Sequence, residues 1–274
     1  MTLKNFTPAS CFICACVLQV GSGLLLHAQN TAAAPSSQKR PSLTLSPAVI
    51  MLKAQPGQST TQSFTITNEL GSELQFDVSI EDVAVVDGKR VSLKAGQTPN
   101  GIAANAIAAP ASVLVKPGHN ASVNVTITIP PGTQQRAVIV YFRGKVPATS
   151  GSSVAMGASL GTLVTFNLSD ACNLESGPMS ASTQTATANV VLSQELRNSG
   201  SEPIVPKGTV AILNDSGKLV GKATFDAQRL LPGERLVFAA TNPMALRPGH
   251  YRAVSSFQYE GKVLSSAGEF TVLE

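Results

Sequence analysis

Tryptophan is absent from this 274-residue sequence, and aromatic residues make up only 5% of it. Sandwich lectins stack sugars on exposed rings. Here Tyr141, Tyr251 and Tyr259 all fall in strand-like stretches, which argues against sugar binding. Cysteine is scarce in the same way. Three of the four, Cys11, Cys14 and Cys16, lie in the first 28 residues, so the rest of the chain keeps only Cys172. That excludes an intramolecular disulfide and a cysteine-based zinc site, and it makes Cys172 a small apolar filler rather than a reactive thiol. His119 and His250 both follow Pro-Gly turns and have no second ligand at metal-binding spacing. Charged residues are only 13%, and the net charge of +4 is scattered, which excludes a nucleic-acid interface. No P-loop, dinucleotide fingerprint or HExxH is present, and no segment sustains a helical period. Gly157-Ala158-Ser159-Leu160-Gly161 matches the nucleophile-elbow pattern, but a Gly/Ser loop precedes it and a strand follows, where an elbow needs a strand and then a helix. Glu81-Asp82 and Asp87 suggest a carboxylate cluster, but Glu81 belongs to a solvated strand face and Asp87 to a turn, so a structural role is expected. An enzyme is not expected, and neither a cofactor nor a metal is.

The chain opens with an export signal over residues 1–28. Lys4 stands in a short basic region, Cys11–Val20 and Leu24–Leu26 form a broken apolar run, and His27-Ala28 precedes Gln29 at a small-residue cleavage site. The run is too short and too interrupted for a membrane span. A lipoprotein reading through Ile13-Cys14-Ala15-Cys16 is the alternative. Residues 29–41 are small, polar and proline-bearing, a flexible lead-in.

The strand pattern centres on Val113–Phe142. In Ser122–Ile129, Val123, Val125, Ile127 and Ile129 alternate with polar residues, a half-buried strand. Two prolines and a glycine turn the chain, and Ala137–Phe142 is apolar throughout, which suits a central strand paired with the first. Ser42–Leu45 and Val49–Leu52 flank Ser46-Pro47, where a first strand switches sheets. Leu74, Phe76, Val78 and Ile80 alternate with polar residues, and Asp87-Gly88 marks a tight hairpin. Lys94–Ala109 reads as mostly loop and Pro147–Ala158 as a loop, and Gly161–Leu168 as the last strand of a domain of about seven strands. Further strands follow from Val190 to Leu273, divided by Asn-Ser-Gly, Asn-Asp-Ser-Gly and Pro-Gly turns.

Two sets of segments carry a resemblance. SPAVIMLKAQPGQSTTQSFTITN, APASVLVKPGHNASVNVTITIP and RAVIVYF resemble the immunoglobulin-like first domain of periplasmic pilus-assembly chaperones, a group that includes major-sperm-protein-like domains. ELRNSGSEPIVPKGTVAILNDSGK and LRPGHYRAVSSFQYEGK resemble the second domain of two-domain surface proteins that interact with WxL proteins. The resemblance implies a last strand that lends its edge to a partner. It also implies an Arg on the first strand and a Lys on the last that hold the partner's terminal carboxylate. This chain departs from the second pattern: Ala48 stands at the Arg position, and Gly161–Leu168 has no Lys.

The expected fold class is therefore all-β, two tandem immunoglobulin-like sandwiches. The divisions are residues 1–28 signal, 29–41 lead-in, 42–170 first sandwich, 171–184 linker and 185–274 second sandwich. The expected role is a non-catalytic exported protein, periplasmic or extracellular, acting as a chaperone-like factor for pilus or surface assembly. Its partner would be another envelope or surface protein, pilin-like or a surface subunit. The partner-binding candidates are Thr162, Val164, Phe166 and Leu168, with loop 147–158 and the interdomain cleft. The alternative role is a surface-adhesion or carbohydrate-binding module.

Overall fold

The computed structural model of the chain describes residues 42–145, 158–182 and 189–273. The signal, the lead-in up to residue 41 and nearly all of loop 147–158 lie outside the described residues.

Ten strands come first: β1 (Leu43–Ser46), β2 (Val49–Lys53), β3 (Ser59–Asn68), β4 (Leu74–Val86), β5 (Lys89–Lys94), β6 (Ala106–Ala109), β7 (Ser112–Val115), β8 (His119–Thr128), β9 (Ala137–Lys145) and β10 (Ser159–Asn167). They form two sheets, ordered β1-β3-β8-β6 and β2-β10-β9-β4-β5, with β7 added on β4. Phe64, Phe76, Phe142 and Phe166 fill the space between the sheets with Ile66, Ile127 and Ile129. Seven further strands follow: β11 (Leu174–Ser182), β12 (Asn189–Asn198), β13 (Lys207–Asn214), β14 (Leu219–Phe225), β15 (Arg235–Ala245), β16 (Gly249–Tyr259) and β17 (Lys262–Val272). Their sheets are β11-β12-β15 and β14-β13-β16-β17, closed over Leu192, Ile212, Phe225, Phe238 and Phe257. The architecture is all-β, two stacked-sheet sandwiches in tandem, with one 3₁₀ turn at Ala103–Asn105 among the described residues.

Several local rules hold. Val123, Val125 and Ile127 of β8 are fully buried. On the opposite face Ser59, Thr61 and Thr65 of β3 hydrogen-bond to Thr128, Thr126 and Ser122 at 2.8–3.0 Å, a polar ladder toward solvent. The first strand does switch sheets at Ser46-Pro47, so β1 joins β3 and β2 joins β10. Asp87 and Gly88 both take positive φ and close the β4–β5 hairpin.

Two expectations are corrected. β8 and β9 do not pair. β8 lies between β3 and β6, β9 lies between β10 and β4, and the chain crosses from one sheet to the other through Pro130-Pro131-Gly132. Consecutive prolines have no N–H to extend a ladder, so the ladder stops there. Lys94–Ala109 is mostly loop as expected, and its last four residues, β6, add to β8. The segment expected to link the domains, residues 171–184, contains β11, which pairs with β12 across a register shift between Ser176 and Met179. Its Ser/Gly composition hid a strand in which Leu174 is the only deeply buried apolar residue.

The two sandwiches share one device at a strand end. Asn68 closes β3 and Asn198 closes β12, and both are fully buried. Asn68 Oδ1 accepts Leu70 N–H, while its Nδ2 donates to Ser72 O and Val115 O. Asn198 Oδ1 accepts Gly200 N–H, while its Nδ2 donates to Glu202 O and Leu230 O. Each side chain thus stands in for backbone groups that the turn leaves unpaired.

The sandwiches meet through a dry patch and two ion pairs. Val83 of β4, Ala137 of β9 and Leu231 form a small buried cluster, with Val85, Ile139 and Leu163 at its margin. This contact covers the outer face of β9 at Ala137 and partly at Ile139, where an alternating strand would be polar. Glu202 is fully buried. It takes Arg136 Nε at 3.2–3.3 Å, Leu168 N–H at 2.8 Å and Ser169 Oγ–H at 2.8 Å. Glu234 pairs with Arg90 Nε at 2.7 Å and accepts Leu231 N–H at 2.8 Å. Arg235 N–H donates to Gly88 O at 3.0 Å, which ties β15 to the β4–β5 hairpin.

Removing one partner of a buried ion pair leaves a charge that neither water nor protein solvates. Glu202→Ala is therefore expected to lower unfolding stability by about 3–5 kcal/mol. Arg143→Ala, which breaks the more exposed pair with Glu81, is expected to cost less than about 1 kcal/mol. Chemical denaturation of the two variants beside the wild type checks the contrast.

Candidate partner-binding edge

β10 is not a free edge along its whole length. On one side it pairs antiparallel with β9 from Ser159 to Thr165. On the other side β2 pairs with it in parallel, but only from Leu163 to Asn167, opposite Val49 to Lys53. Phe166 N–H donates to Arg136 O on the β9 side, and Asn167 O accepts Ala54 N–H on the β2 side. Strand alternation then turns the backbone groups of Ser159 and Gly161 toward the β2 side, beyond where β2 begins. Among the described residues no strand pairs with that stretch.

The four predicted side chains do not share the role given to them. Val164 and Phe166 are fully buried in the core of their own sandwich. Thr162 is fully buried, and its Oγ1 donates to Pro47 O at 2.8 Å, holding the sheet switch against β10. Leu168 lies just past the strand, half-buried on the same core, with its N–H held by Glu202. The alternation in β10 thus reports its own core, and what the strand can offer outward is backbone.

The side chains beside this edge come from β2, which sequence reading passed over. Val49 and Met51 are 53% and 36% exposed, while Ile50 and Leu52 pack inward. Four apolar residues in a row hid this alternation, and only the surroundings separate inward from outward. Next to them Tyr141 of β9 lies against Gly161, where a Cβ would come within 3.2 Å of the Tyr141 ring and 3.1 Å of Ile139. Arg143 stacks over the Tyr141 ring at 4.6 Å and pairs with Glu81. Glycine at 161 therefore keeps this part of the sheet face smooth.

The remaining candidates fall elsewhere. Ser159 opens β10 opposite Arg143, with a strand after it and not a helix. His119 Nδ1 lies 2.8 Å from Pro117 O, and His250 Nδ1 lies 2.9 Å from Thr271 Oγ1. Among the described residues no group of three His, Cys, Asp or Glu side chains is placed to hold a metal ion. Asp82, set aside in the sequence, is fully buried and accepts Thr98 Oγ1–H, Ile102 N–H and Ala103 N–H, each at 2.9 Å. It anchors the loop after β5. Its position is the next inward place after Ile80 in β4, which is the signal that was available.

No protein-family model and no characterised protein sequence matches the chain. Solved structures do. The class 5 fimbriae chaperone CfaA is similar at 15% identity and TM-score 0.42, covering 85% of this chain and 100% of its own. The CsuC–CsuE chaperone–tip adhesion subunit complex from the archaic chaperone-usher Csu pili of Acinetobacter baumannii is similar at 13% identity and TM-score 0.40, covering 85% and 100%. The E. coli chaperone DraB is similar at 12% identity and TM-score 0.39, covering 85% and 97%. These neighbours are fimbrial chaperones of the immunoglobulin-like group named on sequence resemblance. Identities of this order extend to fold only. Among the described residues no helix is long and apolar enough to cross a membrane.

Two predictions come from these placements. Phe166→Ala is expected to cost about 3–5 kcal/mol of stability, read by denaturant unfolding, because it empties a fully buried aromatic site. Cys172 is buried in the core of the second sandwich. Burial, with Glu260 adding to it, raises its thiol above the ordinary cysteine value. Iodoacetamide at neutral pH should label Cys172 slowly in the folded protein and fully in denaturant.

Proposed function

We propose that this chain is an exported, non-catalytic protein-binding protein, a chaperone-like factor in pilus, fimbrial or cell-surface assembly. The observation that carries the reading is the half-open strand β10, with no strand paired to Ser159 and Gly161 on one side among the described residues while β2 covers the rest. An extended segment of a partner adds there as a strand in line with β2, through main-chain hydrogen bonds, with Val49 and Met51 flanking it. In this reading Thr162, Val164, Phe166 and Leu168 act as the rigid support of that edge and not as side chains inserted into the partner. The buried junction keeps the crevice between the sandwiches at a fixed place beside the edge, available as a second contact. The partner is a pilin-like or other envelope subunit, and the location is the periplasm or the cell surface.

The experiment is a pull-down from envelope extract, comparing the wild type with a Met51→Asp, Ser159→Pro variant. Met51 is partly exposed, and Ser159 begins the strand with its N–H on the open side, so the variant should unfold at nearly the same denaturant concentration as the wild type. Loss of the captured subunit from the folded variant supports edge recognition. Undiminished capture refutes it.

A further inference from the structure

The second sandwich has a hollow where charges of both signs stand close together without pairing. It is bounded by the β13–β14 turn, the start of β16 and the end of β17, and it holds about 470 Å³. It lies at the end of β13 away from Glu202 and Pro203, which meet the first sandwich. Strand register sets its outer wall. Arg252 of β16 is opposite Leu213 of β13 on one side and Glu269 of β17 on the other, so the three form one row across the sheet. His250 and Thr271 make the next row, and Asp215 stands in the turn just past β13. Tyr251 and Ala253 turn into the core, which leaves His250 and Arg252 on the exposed face.

Arg252 thus has a carboxylate on the element to either side, Glu269 and Asp215. Among the described residues it pairs with neither, and neither carboxylate has another partner. A directly opposed pair of the same kind, Glu175 of β11 and Arg197 of β12, does close, at 3.8 Å. One structural account is that an exposed ion pair gains little in water, so its heads are free to separate. That account does not cover the fixed surroundings. Asn214 Oδ1 accepts Ser216 Oγ–H at 2.8 Å and Lys218 N–H at 2.9 Å, and Gly217 takes positive φ, so the turn that carries Asp215 is held. Tyr251 O–H donates to Arg247 O at 2.7 Å, and its ring stacks on Phe270 at 5.5 Å, a firm apolar wall. His250 Nδ1 rests 2.9 Å from Thr271 Oγ1. Asp215, Glu269 and His250 do not form a group able to hold a metal ion.

We propose that this hollow binds a small zwitterion, an α-amino acid with an apolar side chain. The guanidinium fork of Arg252 takes the carboxylate. Glu269 and Asp215 take the ammonium group, and Leu213 with the Tyr251–Phe270 pair takes the side chain. Opposed residues on neighbouring strands have Cβ atoms about 5 Å apart, so one ligand with both charges on a single carbon reaches both heads. A ligand with one charge does not fit as well. A plain acid brings its carboxylate beside two others, and a plain amine brings its charge beside Arg252. This repulsion selects the zwitterion as much as the attraction does. None of these residues borders β2 or β10, so the site does not rest on an assembly role.

The test is titration calorimetry of the intact protein with leucine, leucinamide and N-acetylleucine at matched ionic strength. Leucine should bind. Leucinamide lacks the carboxylate and N-acetylleucine lacks the ammonium group, and each should bind about tenfold more weakly or worse, as expected for loss of one charge-assisted contact. Arg252→Gln and Glu269→Gln are exposed changes that should leave the denaturant midpoint nearly unchanged and each weaken leucine about tenfold. Lys222→Gln, on the same outer face but outside the hollow, should leave leucine binding as it is. No binding of leucine, equal binding of the three probes, or leucine affinity unaltered in either hollow variant overturns the site. Any of these results leaves the reading of the β10 edge standing.

Discussion

Two carboxylates of the second sandwich are held by arginines of the first: Glu202 by Arg136, and Glu234 by Arg90. Both carboxylates are almost wholly out of water. Neither charge can be left there alone, because the cost of desolvating one partner is recovered only with the other in place. The junction is for that reason closed or broken, with little in between. Leu231 pressed on Val83 and Ala137 adds a dry contact that cannot form unless the ion pairs align. What would have been a flexible hinge between independent sandwiches becomes a fixed joint, pinned at Leu168 and Ser169 directly after β10.

The fixed joint bears on the open edge. β10 runs straight into the Glu202 cluster, so the strand is anchored at its C-terminal end and framed by β2 over the same half. Along its other half, β9 is the one strand that pairs with it among the described residues. The point at which one condition gives way to the other is set by Pro47. The sheet switch there spends residues 47 and 48, so β2 starts opposite Leu163 and cannot reach back to Gly161. Thr162 locks that arrangement by donating to Pro47 O. A short first strand and one buried hydroxyl thus decide how much of β10 stays unpaired.

Much of this was legible in the sequence and some was not, for identifiable reasons. Period-two patterns in β8 and the first half of β4 placed Val123, Val125, Ile127 and Phe76 in the core, because one face of each strand meets water there. Pro-Gly and Asp-Gly turns were readable because they need positive φ, which few residues accept. Patterns failed where a strand carried apolar residues on both faces. β9 and β2 read as apolar runs, and nothing local said that Leu231 would cover one and solvent would reach Val49 on the other. β11 was missed because Ser, Gly and Pro dominate it and its partner is remote in the fold. At the candidate site, the alternation of Val164 and Phe166 was real, but it described their own core. The residues that shape the edge, Val49, Gly161 and Pro47, carry no chemistry a pattern would single out. The junction arginines were invisible for another reason: Arg90 and Arg229 are 139 residues apart and meet only because the junction closes.

An exposed strand edge invites pairing with any chain that passes, and proteins usually blunt it. β2 is blunted by its length and its end: it is five residues long and finishes in Lys53. Arg229 does not add to this. Its Nη1 donates to Ile50 O, but Ala54 N–H bonds Asn167 O, and alternation from there turns the Ile50 carbonyl toward β10, where Thr165 Oγ1 also donates to it. Arg229 therefore ties the β2–β10 seam to the second sandwich, and the outward backbone groups of β2 are those of Val49, Met51 and Lys53. A strand that adds to β2 meets those groups without displacing Arg229, and the seam behind them stays in place.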